Sequence, residues 1–325
     1  MATMKLFNLK ETQLNISKLA KYIKTKRILK KKNKIAFLFA FTQNLAFAAG
    51  NCAIALNRHL KITDYDIVML HSDLSDRDTA AFNKIPHVVL KRFDLRDDFV
   101  NHMLENIPEQ SRFRTKNRLM CFGHFEAFSL LKDYEYVVYN DVDVSFQRDI
   151  SDIISYVPFG IAPDTPWKVR DQFSREVPGY DMEREGYCSS VMVLSDKLPY
   201  DEIVNFLYEK AWEYADCLIN PDQAIICLAA QKFNLNPKLI PIDIYSCISW
   251  KDCAITAKTV HFGTEKKIWK DTNICNSFPE WYRTHLEWLE LGGTDFDQSN
   301  ITPRNPLSTL NLFDKMIANK NNIHS

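Results

Sequence analysis

Residues Tyr136-Val137-Val138-Tyr139-Asn140-Asp141-Val142-Asp143-Val144 make an apolar, β-branched and aromatic run that stops at two carboxylates one residue apart. A run of this composition reads as a buried strand. Alternation along an extended chain points Asp141 and Asp143 the same way, with Val142 on the opposite face. Two aligned carboxylates at a strand end repel each other unless something positive lies between them. A hard divalent cation suits such oxygen ligands, and Mg²⁺ or Mn²⁺ keeps open positions for phosphate oxygens. Taken alone, Asp-x-Asp is more often a solvated turn or a helix cap.

Outward from this strand the pattern is strand-helix alternation. Strands are expected at Ile35–Phe41, Asp66–Leu70 and His87–Leu90. Helices are expected at the Ala-rich Ala46–Leu60, around Asp78–Asn83, and over Asn117–Leu131 leading into the Asp141 strand. Such alternation argues for an α/β fold with a mostly parallel central sheet flanked by helices. Ligands in these sheets gather beyond the carboxyl ends of strands, where Thr42–Asn44 and Asp141/Asp143 would lie.

Past residue 150, strands are expected at Phe159–Ala162, Ser190–Leu194, Leu239–Ile244 and Thr259–Phe262, with a helix over Asp201–Ala215. Asn220-Pro221-Asp222-Gln223 marks another helix start, with Asn at the cap, Pro at the first helical position and Asp in the first turn. The last ~55 residues, rich in Trp, Asn and Pro, read as an irregular appendage in which Trp281, Tyr282 and Trp288 pack onto the body. No internal repeat and no strong linker interrupt the chain, so one principal domain is expected.

The 325 residues supply ample material for a core, and 46% apolar with 25% charged residues is the balance of a soluble globular protein. Lys plus Arg and Asp plus Glu each number 41, so no global field favours nucleic acid or an acidic partner. Only 8 glycines occur, with neither a P-loop nor a dinucleotide-binding glycine motif. The 8 cysteines are scattered without a C-x-x-C pair and several lie in apolar runs, which points to buried free thiols in a reducing compartment.

No long apolar core follows a basic segment at the start, so no signal peptide is expected, and no stretch is long enough to span a bilayer. Residues 1–33 are a basic leader, with lysines from Lys18 to Lys34 interleaved with Leu14, Leu19, Ile23, Ile28 and Leu29. Two accounts stand: a basic helix lying on an anionic membrane through residues 14–34, or a solvated leader helix that packs on the body. Arg112, Arg114, Lys116 and Arg118 form a second basic cluster. It is either a solvated loop entering a helix or a contact for an anionic acceptor or a donor sugar acid.

The motifs occur in a recognisable order: a strand ending in Thr42-Gln43-Asn44, the Asp141-Val142-Asp143 end, and Gly160-Ile161-Ala162-Pro163-Asp164. Then follow a Ser190-Val191-Met192-Val193-Leu194 strand, the Asp222-Gln223 helix start, and a late run from His261 to Trp269. This order resembles the family 8 retaining glycosyltransferases, most closely their bacterial lipopolysaccharide galactosyltransferase branch, over about residues 35–270. The resemblance implies the GT-A nucleotide-sugar fold, a UDP-sugar donor, and Mn²⁺, with Mg²⁺ as the alternative. It implies a catalytic domain at 34–268 between the leader and a C-terminal appendage at 269–325.

By the same resemblance Asp141, Asp143 and His261 would ligate the metal, and Lys267 would meet the donor diphosphate. One imidazole added to carboxylates favours Mn²⁺ over Mg²⁺. Thr42 and Asn44 would meet the uracil and ribose, His124 would stand where the family carries a basic donor contact, and Asp164 would hold donor-sugar hydroxyls. Asp222 and Gln223 would lie under the anomeric carbon. An amide is a poor nucleophile, so a front-face substitution with UDP taking the acceptor proton is favoured over a covalent intermediate.

The departures from the family pattern are Leu45 for a tyrosine near uracil, His124 for arginine or lysine, Cys188-Ser189-Ser190 for Asn-x-Gly, and Cys227 for an asparagine. They imply a shifted donor preference. The expected activity is metal-dependent transfer of a hexose to a glycan or glycolipid acceptor, such as a bacterial surface saccharide, in the cytoplasm or at the inner face of its membrane. The alternative is a non-catalytic nucleotide-sugar binder on the same fold. A phosphohydrolase or nucleotidyltransferase is disfavoured, because no further Asp/Glu/His cluster supplies a second metal.

Overall fold

The structure, a computed structural model, describes residues 34–109, 111–263, 267–270 and 277–296. The basic leader expected over residues 1–33 lies outside the described residues.

Strand β1 (Ile35–Phe41) is buried along almost its whole length, as a central strand covered on both faces must be. Helix α1 (Ala46–His59) follows, then β2 (Tyr65–His71), α2 (Asp76–Phe82), β3 (Val88–Arg92) and α3 (Asp97–Asn106). The chain continues through β4 (Tyr136–Asn140), β5 (Val144–Phe146), β6 (Phe159–Lys168), β7 (Glu185–Ser195), α4 (Tyr200–Glu213) and α5 (Pro221–Lys232). The described elements close with β8 (Lys238–Leu239), β9 (Cys247–Ile248), β10 (Thr259–His261) and α6 (Pro279–Glu290).

The main sheet has the order β3-β2-β1-β4-β7-β6-β8. Strands β3, β2, β1 and β4 are parallel neighbours, β7 runs antiparallel between β4 and β6, and β8 pairs parallel with β6. This is the mostly parallel α/β architecture the alternation implies. A small sheet, β5-β10-β9, stands beside it and brings His261, the last residue of β10, opposite Val144.

Side-chain alternation along β1 divides the core. Phe37, Phe39 and Phe41 face the layer of α1 and α6, whereas Ala36 and Leu38 face the layer of α4 and α5. Among the described residues no helix is long and apolar enough to cross a membrane.

Three local expectations change. The helix expected over Asn117–Leu131 is mainly 3₁₀, running from Lys116 to Phe125, with one α-turn at Glu126–Ser129 and a last 3₁₀ turn at Leu130–Lys132. The spacing explains it, because Leu119, Phe122, Phe125, Phe128 and Leu131 repeat every three residues and all are fully buried. Residues i and i+3 eclipse in a 3₁₀ helix, so this spacing lines them into one straight ridge. The strand expected over Leu239–Ile244 shrinks to Lys238–Leu239. Pro241 has no N–H for a ladder, and a short helical turn over Ile242–Tyr245 follows it.

The third change is the tail, which is not irregular throughout. Pro279 opens the twelve-residue α6, whose Trp281, Thr284, His285 and Trp288 form a buried stripe against α1. Trp288 lies so close to α1 that a Cβ on Gly50 would come within 2.2 Å of its ring. The packing of the aromatic residues onto the body is as expected for Trp281 and Trp288, which are 2% and 0% exposed.

Candidate functional site

The ladder hydrogen bond from Asp141 N–H to the Ser190 carbonyl, at 3.0 Å, closes β4, and the chain then bends rather than continuing extended. Asp141 and Asp143 still reach the same cavity while Val142 turns into the core. The return strand β5 pairs with β10, and the Phe262 N–H donates to the Asp143 carbonyl at 2.8 Å. That pairing carries His261 to the two carboxylates: its Nε2 lies 3.2 Å from Asp143 Oδ1 and 3.6 Å from Asp141 Oδ2.

His261 Nε2 is buried, yet it makes no hydrogen bond of acceptable geometry. One oxygen or nitrogen atom from each of the three side chains can gather within 4.8 Å of the others. A buried imidazole nitrogen left without a hydrogen bond between two carboxylates, behind three convergent N/O atoms, fits a divalent cation. Its other nitrogen, Nδ1, lies 3.4 Å from the Ser246 hydroxyl, which lies 3.2 Å from that of Ser190. These hydroxyls orient the ring from behind, as supports of a ligating imidazole do.

Lys267 reaches the same point. Its ammonium donates to Asp143 Oδ2 and, at 2.9 Å, to the Phe262 carbonyl. Burial alone would raise the Asp143 carboxyl, but His261 and Lys267 outweigh it and hold Asp143 well below the usual carboxylate range. Burial likewise works against a charged His261, and the Asp143 and Asp141 carboxylates reverse that and raise it.

On the other side of Asp141 stands His124, carried by the 3₁₀ ridge. Its Nε2 is 3.3 Å from Asp141 Oδ1 and its Nδ1 3.4 Å from Asp222 Oδ2. Burial lowers its pKa, yet Asp222 and then Asp141 raise it to about 9. Asp222, in the first turn of α5, accepts from the Ser189 hydroxyl at 2.7 Å. Gln223 donates through Nε2 to Asp164 Oδ2 at 2.6 Å, and its Oε1 accepts from the Ser189 N–H at 3.4 Å. Asp164 accepts a second bond from Gln172 Nε2 at 2.8 Å, while burial raises its pKa.

Two adjoining cavities share Asp141, Asp143, His124 and Lys267. One, of about 540 Å³, adds Asp164, Asp222, Gln223 and His261. The other, of about 600 Å³, adds Thr42 and Asn44, whose side chains bond each other at 2.5 Å, and the half-buried Leu45. The fold thus brings all ten residues singled out in the sequence to one edge, beyond the carboxyl ends of β1 and β4. Of the departures, Cys188 lines the first cavity, whereas Cys227 lies in the core beneath it.

Three supports were not signalled by the sequence. Gln172 is buried and bridges Asp164 to Asn220, whose side chain donates to it at 2.7 Å instead of capping α5. Ser189 holds Asp222 and Gln223, and Ser246 backs His261. A lone Ser or Gln in a strand or loop carries no spacing pattern that would announce such work.

All seven described cysteines are free. Cys247 and Cys253 gather with Asp243 into a second group of ligand-type atoms that no spacing in the sequence announces, and none of the three lines either cavity. Two thiols suit a soft ion rather than the hard cation of a phosphate-handling second metal.

No sequence-family model matches the chain, and no curated protein matches it by sequence. Solved structures do match its fold. The bifunctional glycosyltransferase WbbM superposes with a TM-score of 0.55 at 15% identity, over 81% of this chain and 52% of WbbM, so the chain spans about half of that protein. The galactosyltransferase LgtC, solved with donor and acceptor sugar analogs, superposes with a TM-score of 0.54 at 12% identity, over 83% of this chain and 98% of LgtC. An LgtC variant with glutamate for an active-site glutamine gives 0.53 at 12% identity, over 79% and 94%. The fold is therefore the GT-A glycosyltransferase fold.

Proposed function

We propose that this chain is a retaining hexosyltransferase that moves a sugar from a UDP-sugar to a glycan or glycolipid acceptor, with residues 34–268 as its catalytic body. The observation that carries the reading is the convergence of Asp141, Asp143, the buried His261 Nε2 that makes no hydrogen bond, and Lys267 between two cavities at the carboxyl edge of the sheet. Asp141, Asp143 and His261 would hold Mn²⁺, or Mg²⁺ in its place. Such an ion supplies positive charge to a departing diphosphate.

The protein's own residues do the rest. Lys267, already at Asp143, presents an ammonium to the β-phosphate as charge develops there. Thr42 and Asn44 would contact the uridine in the second cavity. Asp164, fixed by Gln172 and Gln223, accepts hydroxyl hydrogens of the transferred sugar. His124 holds Asp141 and Asp222 in register across the cavity floor. Both ends of the Gln223 amide are engaged, so it positions the sugar and lends its dipole more readily than it attacks. The acceptor oxygen then forms its bond to the anomeric carbon from the face the diphosphate leaves, the carbon–oxygen bond to UDP breaks, and a phosphate oxygen takes the acceptor proton.

Calorimetric or thermal-shift titration of UDP and a panel of nucleotide-sugars, first with Mn²⁺ and then with EDTA, tests this. Stabilisation by one UDP-sugar that vanishes on chelation is expected, followed by turnover with acceptors. UDP binding without turnover or donor hydrolysis would favour the non-catalytic binder, the reading motivated by Leu45, His124 and Cys188. No response to UDP in Mn²⁺ removes both. A bacterial surface saccharide is the acceptor to screen first, and the basic leader would place the enzyme against an anionic membrane face. Vesicle sedimentation of the chain with and without residues 1–33 reports on that contact.

A further inference from the structure

The first cavity carries both signs of charge in its depth and two arginines on its exposed side. Its floor carries Asp164 and Asp222, and its exposed side carries Arg112 and Arg118, the latter standing where the two cavities adjoin. Both arginines are solvent-exposed, and neither forms an ion pair with a carboxylate among the described residues. Their neighbour differs, because Arg114 is bound to Glu109 at 3.1 Å and to the Leu104 carbonyl at 2.9 Å. The Arg112 guanidinium lies over the Phe113 ring, 4.8 Å from its centroid, which holds the long side chain in place. Beside them stands Trp167, delivered by the far end of β6 and 56% exposed.

An exposed indole at a cavity mouth offers a stacking face for a sugar ring, and two uncommitted guanidiniums offer forked donors for a phosphate or carboxylate. We infer that Arg112 and Arg118 select an acidic saccharide as acceptor, one carrying a phosphate or carboxylate group. The inference rests on the glycosyl-transfer reading above and adds its substrate class. The placing of Asp164 and Asp222 assigns the acid to the acceptor rather than to the donor sugar. A donor sugar lying on the floor would set its acid against Asp164 and Asp222, whereas an acceptor enters across the rim.

The test measures equilibrium binding to the full chain of glucose and galactose, their 6-phosphates and their uronates, and inorganic phosphate, with UDP and Mn²⁺ present and then absent. The acidic sugars are expected to bind roughly tenfold or more tighter than the neutral ones. The preference should weaken at about 0.5 M salt and disappear in the double variant Arg112→Gln/Arg118→Gln, whose melting temperature should match the parent's. Whichever of the 6-phosphates and uronates binds tighter names the anion.

Equal affinity for neutral and acidic sugars would overturn the inference, as would a preference that survives in the double variant. Inorganic phosphate binding as tightly as the sugar phosphates would reduce the rim to an anion site and also overturn it. UDP-glucuronate preferred over UDP-glucose by the parent but not by the variant would move the arginines to the donor and overturn it equally. Acidic sugars preferred by a chain that ignores UDP would remove the transferase reading while leaving the acidic-saccharide preference standing.

Discussion

Asp143 lies between the His261 imidazole and the Lys267 ammonium, and its charge is what draws both to it. Asp143→Asn keeps the shape and removes the charge, so transfer should fall by roughly 100-fold or more while the protein still folds. Turnover assays beside a thermal melt check this, and undiminished transfer by the variant in EDTA would sink the metal assignment. Gln223→Glu makes a sharper case, because it replaces a donor to Asp164 by a second carboxylate 2.6 Å away. Two such groups share a proton more easily than they ionise together. The variant should be destabilised by about 1–3 kcal/mol near pH 7.5 and regain part of that as pH falls towards 5, as melts across that range would show.

Residue by residue, legibility followed pattern. Asp141 and Asp143 were readable because an apolar strand ends on them, and His261 because Lys267 and Trp269 follow it in a familiar order. Gln172, Ser189 and Ser246 were not, since their work depends on the turn after β6, the strand β7 and the segment before β9 coming together. No local signal encodes that meeting.

Among the elements, the α1–α6 pair is held by a close approach at Gly50. Trp288 packs where a side chain at Gly50 would stand, so Gly50 accepts a poorer helix propensity in exchange for close approach. Gly50→Ala should therefore destabilise by about 1–3 kcal/mol, although alanine is the better helix former. Denaturant melts reporting a more stable variant would contradict the packing.

The same pair is clamped by Glu280, which meets Arg58 and, at 3.2 Å, His59. Burial pushes Glu280 up, but His59 and Arg58 hold it at about 2 against an ordinary 4.5. A depressed carboxyl stabilises the fold above its unfolded value and loses that stabilisation as pH drops through the folded one. The contribution should thus be complete above pH 4.5 and fade towards pH 2. Glu280→Gln should cost about 2 kcal/mol at neutral pH and almost nothing at the acid end of that window, measured by chemical denaturation at stepped pH. At this scale α1 was legible from its alanines. The 3₁₀ ridge was not, since a three-residue repeat passes for a loose helical stripe until its partners are known.

For the whole molecule, alternation of strands and helices carried the fold class and the edge where ligands collect. It did not carry the strand order. The antiparallel insertion of β7 between β4 and β6 is a long-range choice, and so is the small sheet that swings His261 onto the carboxylates. The tail escaped for a related reason: a short stripe of Trp281, His285 and Trp288 looks like scattered aromatics until α1 supplies the opposite wall. A stop codon after Lys270 would strip that wall of its cover and leave Phe47 without His285 and Phe296. Such a chain should bind hydrophobic dyes and aggregate, and monodisperse, dye-silent behaviour would show that α6 is dispensable.

The reach of that last contact also has a meaning in time. Gly50 leaves the ribosome well over two hundred residues before Trp288, so the sheet and α1 must wait, with one apolar face uncovered, until nearly the whole chain has emerged. Closing a loop of that length comes late by its nature. Docking of α6 therefore cannot begin until late in synthesis, and a chaperone that shelters α1 would act on that interval.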